Sequence, residues 1–171
     1  FEDWRDDLID NTKFEGSPLS FIFFQGDPNK ELLLSRKFYF SNYVSNKKIE
    51  LLSQNKKIKI GYISADFRTH AVSLLLARVL ELHDKSKFEI YGYSLYLKED
   101  EMTLRLKKAF DKFVYIGDLK DSEAINLIRK DNINIAIDLM GYTKNARVNL
   151  FAKRVAPKQI GFLGYPGTTG G

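Results

Sequence analysis

The sequence predicts an α/β domain, a parallel sheet with flanking helices, preceded by a helical connector. Two observations carry that prediction. From Ile58 onward, short apolar segments of strand character alternate with segments of helical spacing, in the order βαβαβαβαβ. Before that, apolar residues up to about Val44 recur at helical intervals, and Ser45 to Lys57 is rich in Asn, Lys and Gln. The expected division is a connector and linker over 1–56 and a Rossmann-like unit over 57–171.

Each element has its own signal. Trp4 and Leu8 lie one turn apart beside Asp3, Asp6 and Asp7, which suggests a helical stretch over Phe1 to Ile9. Ser17-Pro18 and Asp27-Pro28 each place a capping side chain before a proline at the first helical position. The run Phe21-Ile22-Phe23-Phe24 needs a surface to bury it, and Leu32, Leu33, Tyr39, Phe40 and Tyr43 continue at helical spacing. Ile58, Ile60 and Tyr62 alternate with Lys59 and Gly61 in a first strand that ends near Ser64. Ala71 to His83 is apolar on almost every face, through Val72, Leu74, Leu75, Leu76, Val79 and Leu80, and is expected to be a buried helix. Phe88 to Tyr96 is the second strand, where Tyr91, Tyr93 and Leu95 share a packing face. Met102, Leu106, Ala109, Phe110 and Phe113 mark an amphipathic helix, and Val114 to Ile116 a short strand. Asp121 is expected to cap the next helix, through Ile125 and Ile128. Ile133, Ile135 and Ile137 lead into a strand ending near Asp138. A short helix over Ala146 to Lys153 precedes a last strand, Gln159 to Leu163. Right-handed crossovers place every carboxyl end on one edge of the sheet, where ligands of such folds bind.

Composition narrows the function classes. The 171 residues are 44% hydrophobic and 29% charged, and 13% aromatic content is incompatible with a disordered chain. No apolar run approaches the roughly 18 residues of a membrane helix, so no membrane partner is expected. With no cysteine, disulfides, thiolate metal sites and cysteine nucleophiles are excluded. His70 and His83 are the only histidines, so no metal site is expected. The net charge of +5 comes from 27 basic and 22 acidic residues that are interspersed, as on a solvated lysine-rich surface. No aromatic and glycine pattern of RNA-binding type is present, so a nucleic-acid partner is not expected either. The start lacks both methionine and a secretory leader, and the end is glycine-rich, so a fragment of a longer cytoplasmic protein is expected.

Three segments at predicted strand ends hold the unusual chemistry. Ser64-Ala65-Asp66-Phe67-Arg68-Thr69-His70 places a carboxylate, a guanidinium and an imidazole within five residues, suited to proton transfer or anion binding. The structural alternative is that Asp66 or Thr69 caps the following helix. Asp138 to Arg147 joins a turn at Gly141 to Thr143 and Asn145, hydrogen-bonding residues before a helix. Leu163 to Gly171 is dense in glycine, which permits close approach of backbone to a ligand. No P-loop lysine or G-x-G-x-x-G fingerprint is present, so ATPase and ordinary dinucleotide readings are weak. His83, at the end of an apolar helix, reads as structural.

These residues also carry a family resemblance. Lys59-Ile60-Gly61-Tyr62-Ile63-Ser64-Ala65-Asp66-Phe67 with His70 resembles the start of the catalytic region of O-GlcNAc transferases and SPINDLY-like glycosyltransferases. It continues through His83-Asp84, Lys87-Phe88-Glu89 and Asp138 to Arg147, and closes with Ala156-Pro157 and Leu163 to Gly170. The preceding helical region is similar in placement to the family's connector from tetratricopeptide repeats to the catalytic core.

The resemblance implies the amino-terminal half of a glycosyltransferase-B architecture. It implies inverting, metal-independent transfer of N-acetylglucosamine from UDP-GlcNAc to protein Ser or Thr hydroxyls, with no cofactor beyond that donor. SPINDLY-like members use GDP-fucose instead; Asp138 to Arg147 and Pro166-Gly167 look more like the O-GlcNAc branch. The partners implied are the carboxyl-terminal catalytic half, which makes most nucleotide contacts, and acceptor proteins recruited by upstream repeats. By position, Asp66 and His70 match active-site residues considered for proton handling. Leu163 and Gly164 match residues that touch the donor sugar, and Pro166 shapes their loop. Thr143, Lys144 and Arg147 match a loop beside the cleft. Ala71, Thr69 and Val155 depart from the proline, asparagine and proline of the animal enzymes. The competing readings are a non-catalytic binding or scaffold module of the same fold and, third, a basic nucleic-acid-binding protein.

Overall fold

The computed structural model describes residues 16–23, 26–43 and 56–171. The helical stretch expected over Phe1 to Ile9 and most of the Ser45 to Lys57 linker lie outside the described residues. Two helices come first, α1 (Pro18–Ile22) and α2 (Pro28–Asn42). Both begin as the sequence predicts. The Ser17 hydroxyl accepts the Leu19 N–H at 3.4 Å, the Asp27 carboxylate accepts the Asn29 N–H at 2.9 Å, and proline follows each.

The rest alternates: β1 (Ile58–Ser64), α3 (Ala71–Glu81), β2 (Phe88–Ser94), α4 (Glu101–Ala109), β3 (Lys112–Tyr115), α5 (Asp121–Lys130), β4 (Ile135–Asp138), α6 (Val148–Ala152), β5 (Lys158–Gly161). The five strands form one parallel sheet in the order β3-β2-β1-β4-β5. Strand order therefore reverses at β1. The chain first winds outward to β3, then crosses back to β4 and winds the other way.

Side chains alternate between two cores, as a strand's period of two requires. On one face, Ile60, Tyr62 and Ile90 pack with Leu76 and Leu80 of α3 and Leu106 of α4. On the other, Ile63, Tyr91, Tyr93 and Ala136 pack with Ile125 and Ile128 of α5 and Leu150 of α6. Tyr91, Tyr93 and Leu95 thus fulfil the packing role expected of them. His83 is structural too: its Nδ1 bonds the Val79 carbonyl at 2.6 Å and its Nε2 meets the Tyr62 hydroxyl at 3.1 Å.

Several boundaries differ from expectation, each for a local reason. β2 stops at Ser94 because the Ser94 hydroxyl bonds the backbone of Tyr96. β4 begins only at Ile135, since Asn132 holds φ +55° and Ile133 is buried ahead of the ladder. β5 ends at Gly161 because Leu163 turns sharply, at φ +66°. Asp121 does not cap α5. Lys120 occupies the cap and Glu123 accepts its N–H at 2.8 Å, while the Asp121 carboxylate is drawn to Arg147 and Asn149.

The expectation that α3 is buried all round is also corrected. Val72, Leu76, Ala77 and Leu80 are buried, but Leu74, Leu75, Val79 and Leu82 remain exposed. Among the described residues only α3 and α4 cover this face of the sheet. Among the described residues no helix covers it over β4 and β5, and Ile160, paired with Ile137, is half exposed there, as is Phe162.

One prediction follows from the first core. Burial pushes the Tyr62 phenol up to about 12. A group that favours its protonated form in the fold contributes full stability below its ordinary value near 10. That contribution is lost as pH rises from there toward 12. Unfolding free energy is expected to fall by about 1.4 kcal/mol per pH unit for each such phenol. In Tyr62→Phe, urea titrations between pH 10 and 12 should show a shallower fall by that amount; an unchanged slope would refute it.

Candidate active site at the carboxyl edge

The reversal of strand order opens a crevice between the carboxyl ends of β1 and β4, the place where open parallel sheets take ligands. The β1–α3 loop forms one wall. Asp66 is anchored by its N–H to the Ser64 hydroxyl, 2.9 Å, and its carbonyl accepts the Ser73 hydroxyl. Its carboxylate, 13% exposed, receives Arg68 Nη2 on one oxygen at 3.2 Å. The other oxygen lies 3.6 Å from Nδ1 of His70, whose side chain is 39% exposed. Arg68 lies over the Tyr96 ring, 5.3 Å from its centroid.

His70 is itself the cap of α3: its Nδ1 accepts the Val72 N–H at 3.3 Å. The alternative of Asp66 or Thr69 as cap is thereby set aside. The cap requires a bare Nδ1, so in this geometry the neutral ring carries its proton on Nε2. The other tautomer would turn Nδ1–H toward Asp66 and leave Nε2 free to accept a proton. The two arrangements exclude one another.

The β4 loop forms the facing wall. Both oxygens of buried Asp138 accept backbone N–H groups, from Met140 at 2.9 Å and Gly141 at 3.2 Å. Burial raises this carboxyl above its ordinary value, and those two bonds hold it back. Met140 Sδ then accepts the Ala65 N–H at 3.3 Å, joining the two walls. Sequence reasoning placed Asp138 in the motif but not its role as organiser of the turn; the readable signal was an acid two and three residues before the turn's N–H groups.

The predicted residues of this loop have separate fates. The Thr143 hydroxyl donates to the Met140 carbonyl at 2.8 Å within the turn, and Lys144 is exposed at the tip. Arg147 binds Asp121 at 2.8 Å through Nε, and the carbonyls of Ile116 and Leu119, each at 2.8 Å. Its guanidinium clamps the β3–α5 loop to α6.

The β5 loop closes over both walls. Phe162 donates to the Asp138 carbonyl at 2.9 Å, and Gly164 to the Phe162 carbonyl at 2.8 Å, which makes Leu163 the centre of a tight turn at φ +66°. That conformation costs an ordinary side chain on the order of 1 kcal/mol. Gly164 lies against the Leu139 carbonyl and beside Val72 Cγ2. Val72, whose N–H His70 caps, is thus in reach of the loop that holds Leu163 and Gly164, which places that loop on the same edge as the Asp66–His70 pair. Pro166 follows, exposed.

Beyond Pro166 the glycine-rich segment approaches a helix. Thr168 donates its N–H to Glu31 at 3.2 Å, the Tyr142 hydroxyl donates to the Thr169 carbonyl at 2.7 Å, and Gly170 lies against the backbone of Ser35. A cavity of about 90 Å³ remains there, between Tyr39, Asp138 and Thr169. A groove of about 370 Å³ between α5 and α6 contains none of the predicted residues. Among the described residues no helix is long and apolar enough to cross a membrane, and no group of three His, Asp or Glu could hold a metal ion.

A doubly wound parallel sheet with polar loops converging on its switch point defines a Rossmann-like α/β domain. Comparison with known proteins makes the assignment specific. The profile of glycosyl transferase family 41 matches residues 32–171, and the chain belongs to that family. It is 35% identical over 116 residues to the probable UDP-N-acetylglucosamine–peptide N-acetylglucosaminyltransferase SEC of Arabidopsis thaliana, covering 67% of this chain and 12% of that protein. Identity to the probable UDP-N-acetylglucosamine–peptide N-acetylglucosaminyltransferase SPINDLY of the same plant is also 35%, over 127 residues, 70% of this chain and 14% of that protein. The O-GlcNAc transferase of Thermobaculum terrenum, solved as a point mutant, superposes with a TM-score of 0.74 at 31% identity, over 84% of this chain and 28% of that one. The chain therefore spans a small part of the length of the relatives it matches.

Proposed function

We propose that this chain is the amino-terminal catalytic half of a protein O-GlcNAc transferase. The complete protein would move N-acetylglucosamine from UDP-GlcNAc to Ser or Thr hydroxyls, inverting the anomeric centre without a metal. It would work in the cytoplasm, with a carboxyl-terminal half supplying most nucleotide contacts and upstream tetratricopeptide repeats bringing acceptor proteins. The observation that supports the reading is that the Asp66–His70 pair and the Leu163–Gly164 turn lie on the same carboxyl edge, linked through Val72, which His70 caps and which lies beside Gly164.

The chemistry needs an acceptor oxygen held in line with the anomeric carbon and a place for its proton. In the tautomer with Nδ1–H directed at Asp66, His70 Nε2 can take that proton, and the carboxylate steadies the imidazolium that results. The Leu163–Gly164 turn would face the sugar. Thr143, Lys144 and Arg147 would lie beside the cleft, where Arg147 holds the wall in place.

A GDP-fucose donor, which the resemblance to SPINDLY-like members implies, is the second reading. Calorimetric titration of the protein encoded by the complete gene with each nucleotide sugar separates the two. Binding of UDP-GlcNAc alone is expected; binding of neither would leave a scaffold of the same fold. In that protein His70→Ala is expected to lower kcat by about a hundredfold or more while donor binding persists. Unchanged turnover would remove His70 from the mechanism.

A further inference from the structure

We propose that Asp100, in the loop before α4, is a positioning residue that holds the β1–α3 loop and, through it, the His70–Asp66 pair. The inference rests on the reading of that pair as the proton-handling site.

A helix cap needs one carboxylate oxygen. Asp100 uses Oδ1 in that way, accepting the Thr103 N–H at 2.9 Å. Its second oxygen leaves the helix altogether and accepts the N–H of Thr69, the residue before His70, at 2.6 Å. Thr103, buried on α4, completes the grip by donating its hydroxyl to the Phe67 carbonyl at 2.7 Å. The first turn of α4 thus holds the loop on both sides of Arg68. At the other end Ser73 of α3 holds the Asp66 carbonyl.

The loop that carries Asp66 and His70 is therefore held between two helices by bonds to Asp100, Thr103 and Ser73, which set the pair's 3.6 Å spacing together with Arg68 on the carboxylate and the His70 cap on Val72. The Thr69 N–H belongs to the peptide joining Arg68 to Thr69, the one before the peptide that carries His70. Its release frees that peptide to rotate, and His70 moves with the loop relative to the Asp66 carboxylate. The backbone bonds from Thr69 and Thr103 also hold its carboxyl well below the usual range, which favours the carboxylate form that makes both bonds. Asp100 itself touches neither member of the pair, which makes it a positioning residue and not a catalytic one.

The test uses Asp100→Asn in the complete protein. The amide keeps an oxygen for the Thr103 N–H but turns an NH2 toward Thr69, where donor meets donor. Capping survives and the clamp is lost. The melting temperature and the donor KM should stay near wild type, while kcat falls by about tenfold to a hundredfold, the cost of ångström-scale misplacement. Combined with His70→Ala, the substitution should cause no further loss. Full turnover of Asp100→Asn beside an inactive His70→Ala would overturn the positioning role alone. So would losses that multiply in the double variant, or a kcat loss that tracks a drop in melting temperature. Full turnover of His70→Ala would remove the proton-handling reading itself, and the positioning role with it.

Discussion

Gly164→Ala is expected to be the most damaging single substitution in the chain. A Cβ at that position would fall well inside van der Waals contact of the Leu139 carbonyl oxygen, with the Leu139 carbonyl carbon next in its path. Neither obstacle is a flexible side-chain end. Leu139 is buried and its N–H is bonded to Ile63 in the ladder, so the β5 loop must move instead. Movement of that loop breaks the Phe162 to Asp138 bond and releases the Leu163 turn. A stability loss of about 3 kcal/mol is expected, in the upper range for overpacking. Transfer by the complete protein should fall by about a hundredfold or more, because the turn proposed to face the sugar is displaced by an ångström or so. Thermal unfolding and initial-rate measurements check both, and a variant with normal kcat would show that the turn does not face the reacting sugar.

Arg147→Ala should produce the second largest effect, and on stability first. The guanidinium is 17% exposed and joins a carboxylate to two carbonyls of another loop. Its removal strands those acceptors, at a cost of about 3 kcal/mol. For a domain of this size the melting temperature should fall by roughly 6–12 °C. Arg147→Lys should restore little, since an ammonium cannot span the fork between Asp121 and Leu119. Donor affinity of the complete protein, measured at a temperature where the variant is folded, should match wild type. A fall in affinity under those conditions would instead make Arg147 a direct ligand of the nucleotide sugar.

These two residues show what a linear reading can and cannot reach. The βαβ alternation and the dense polar loop after β1 are local patterns, so the sheet and the Asp66–His70 pair could be read directly. Arg147 lies in a motif, which pointed to the cleft, but its partners Asp121, Ile116 and Leu119 lie far back along the chain. No spacing rule connects them. Glycine density after β5 signalled close approach correctly, yet composition does not name what is approached, and much of it is helix α2. Periodicity likewise marked α3 as apolar without showing that, among the described residues, no helix covers part of its sheet layer. Asp100 was the most readable of the missed residues, since an acid three positions before Thr103 at a helix start is a capping pattern. Its second role depends on a loop brought alongside by folding.

The bond between Thr168 and Glu31 joins residues 137 positions apart. Closing so long a loop gains nothing until the intervening strands are assembled, so contacts of this span form late in folding. The edge that carries Leu163 and Gly164 is thus completed after the sheet beneath it. In the native state the segment that docks on α2 is held by loop hydrogen bonds and not by the strand ladder, so it is expected to open before the sheet does. The proposed chemistry would thus rest on the last piece to arrive, with the central β1 strand as the surface against which it is set.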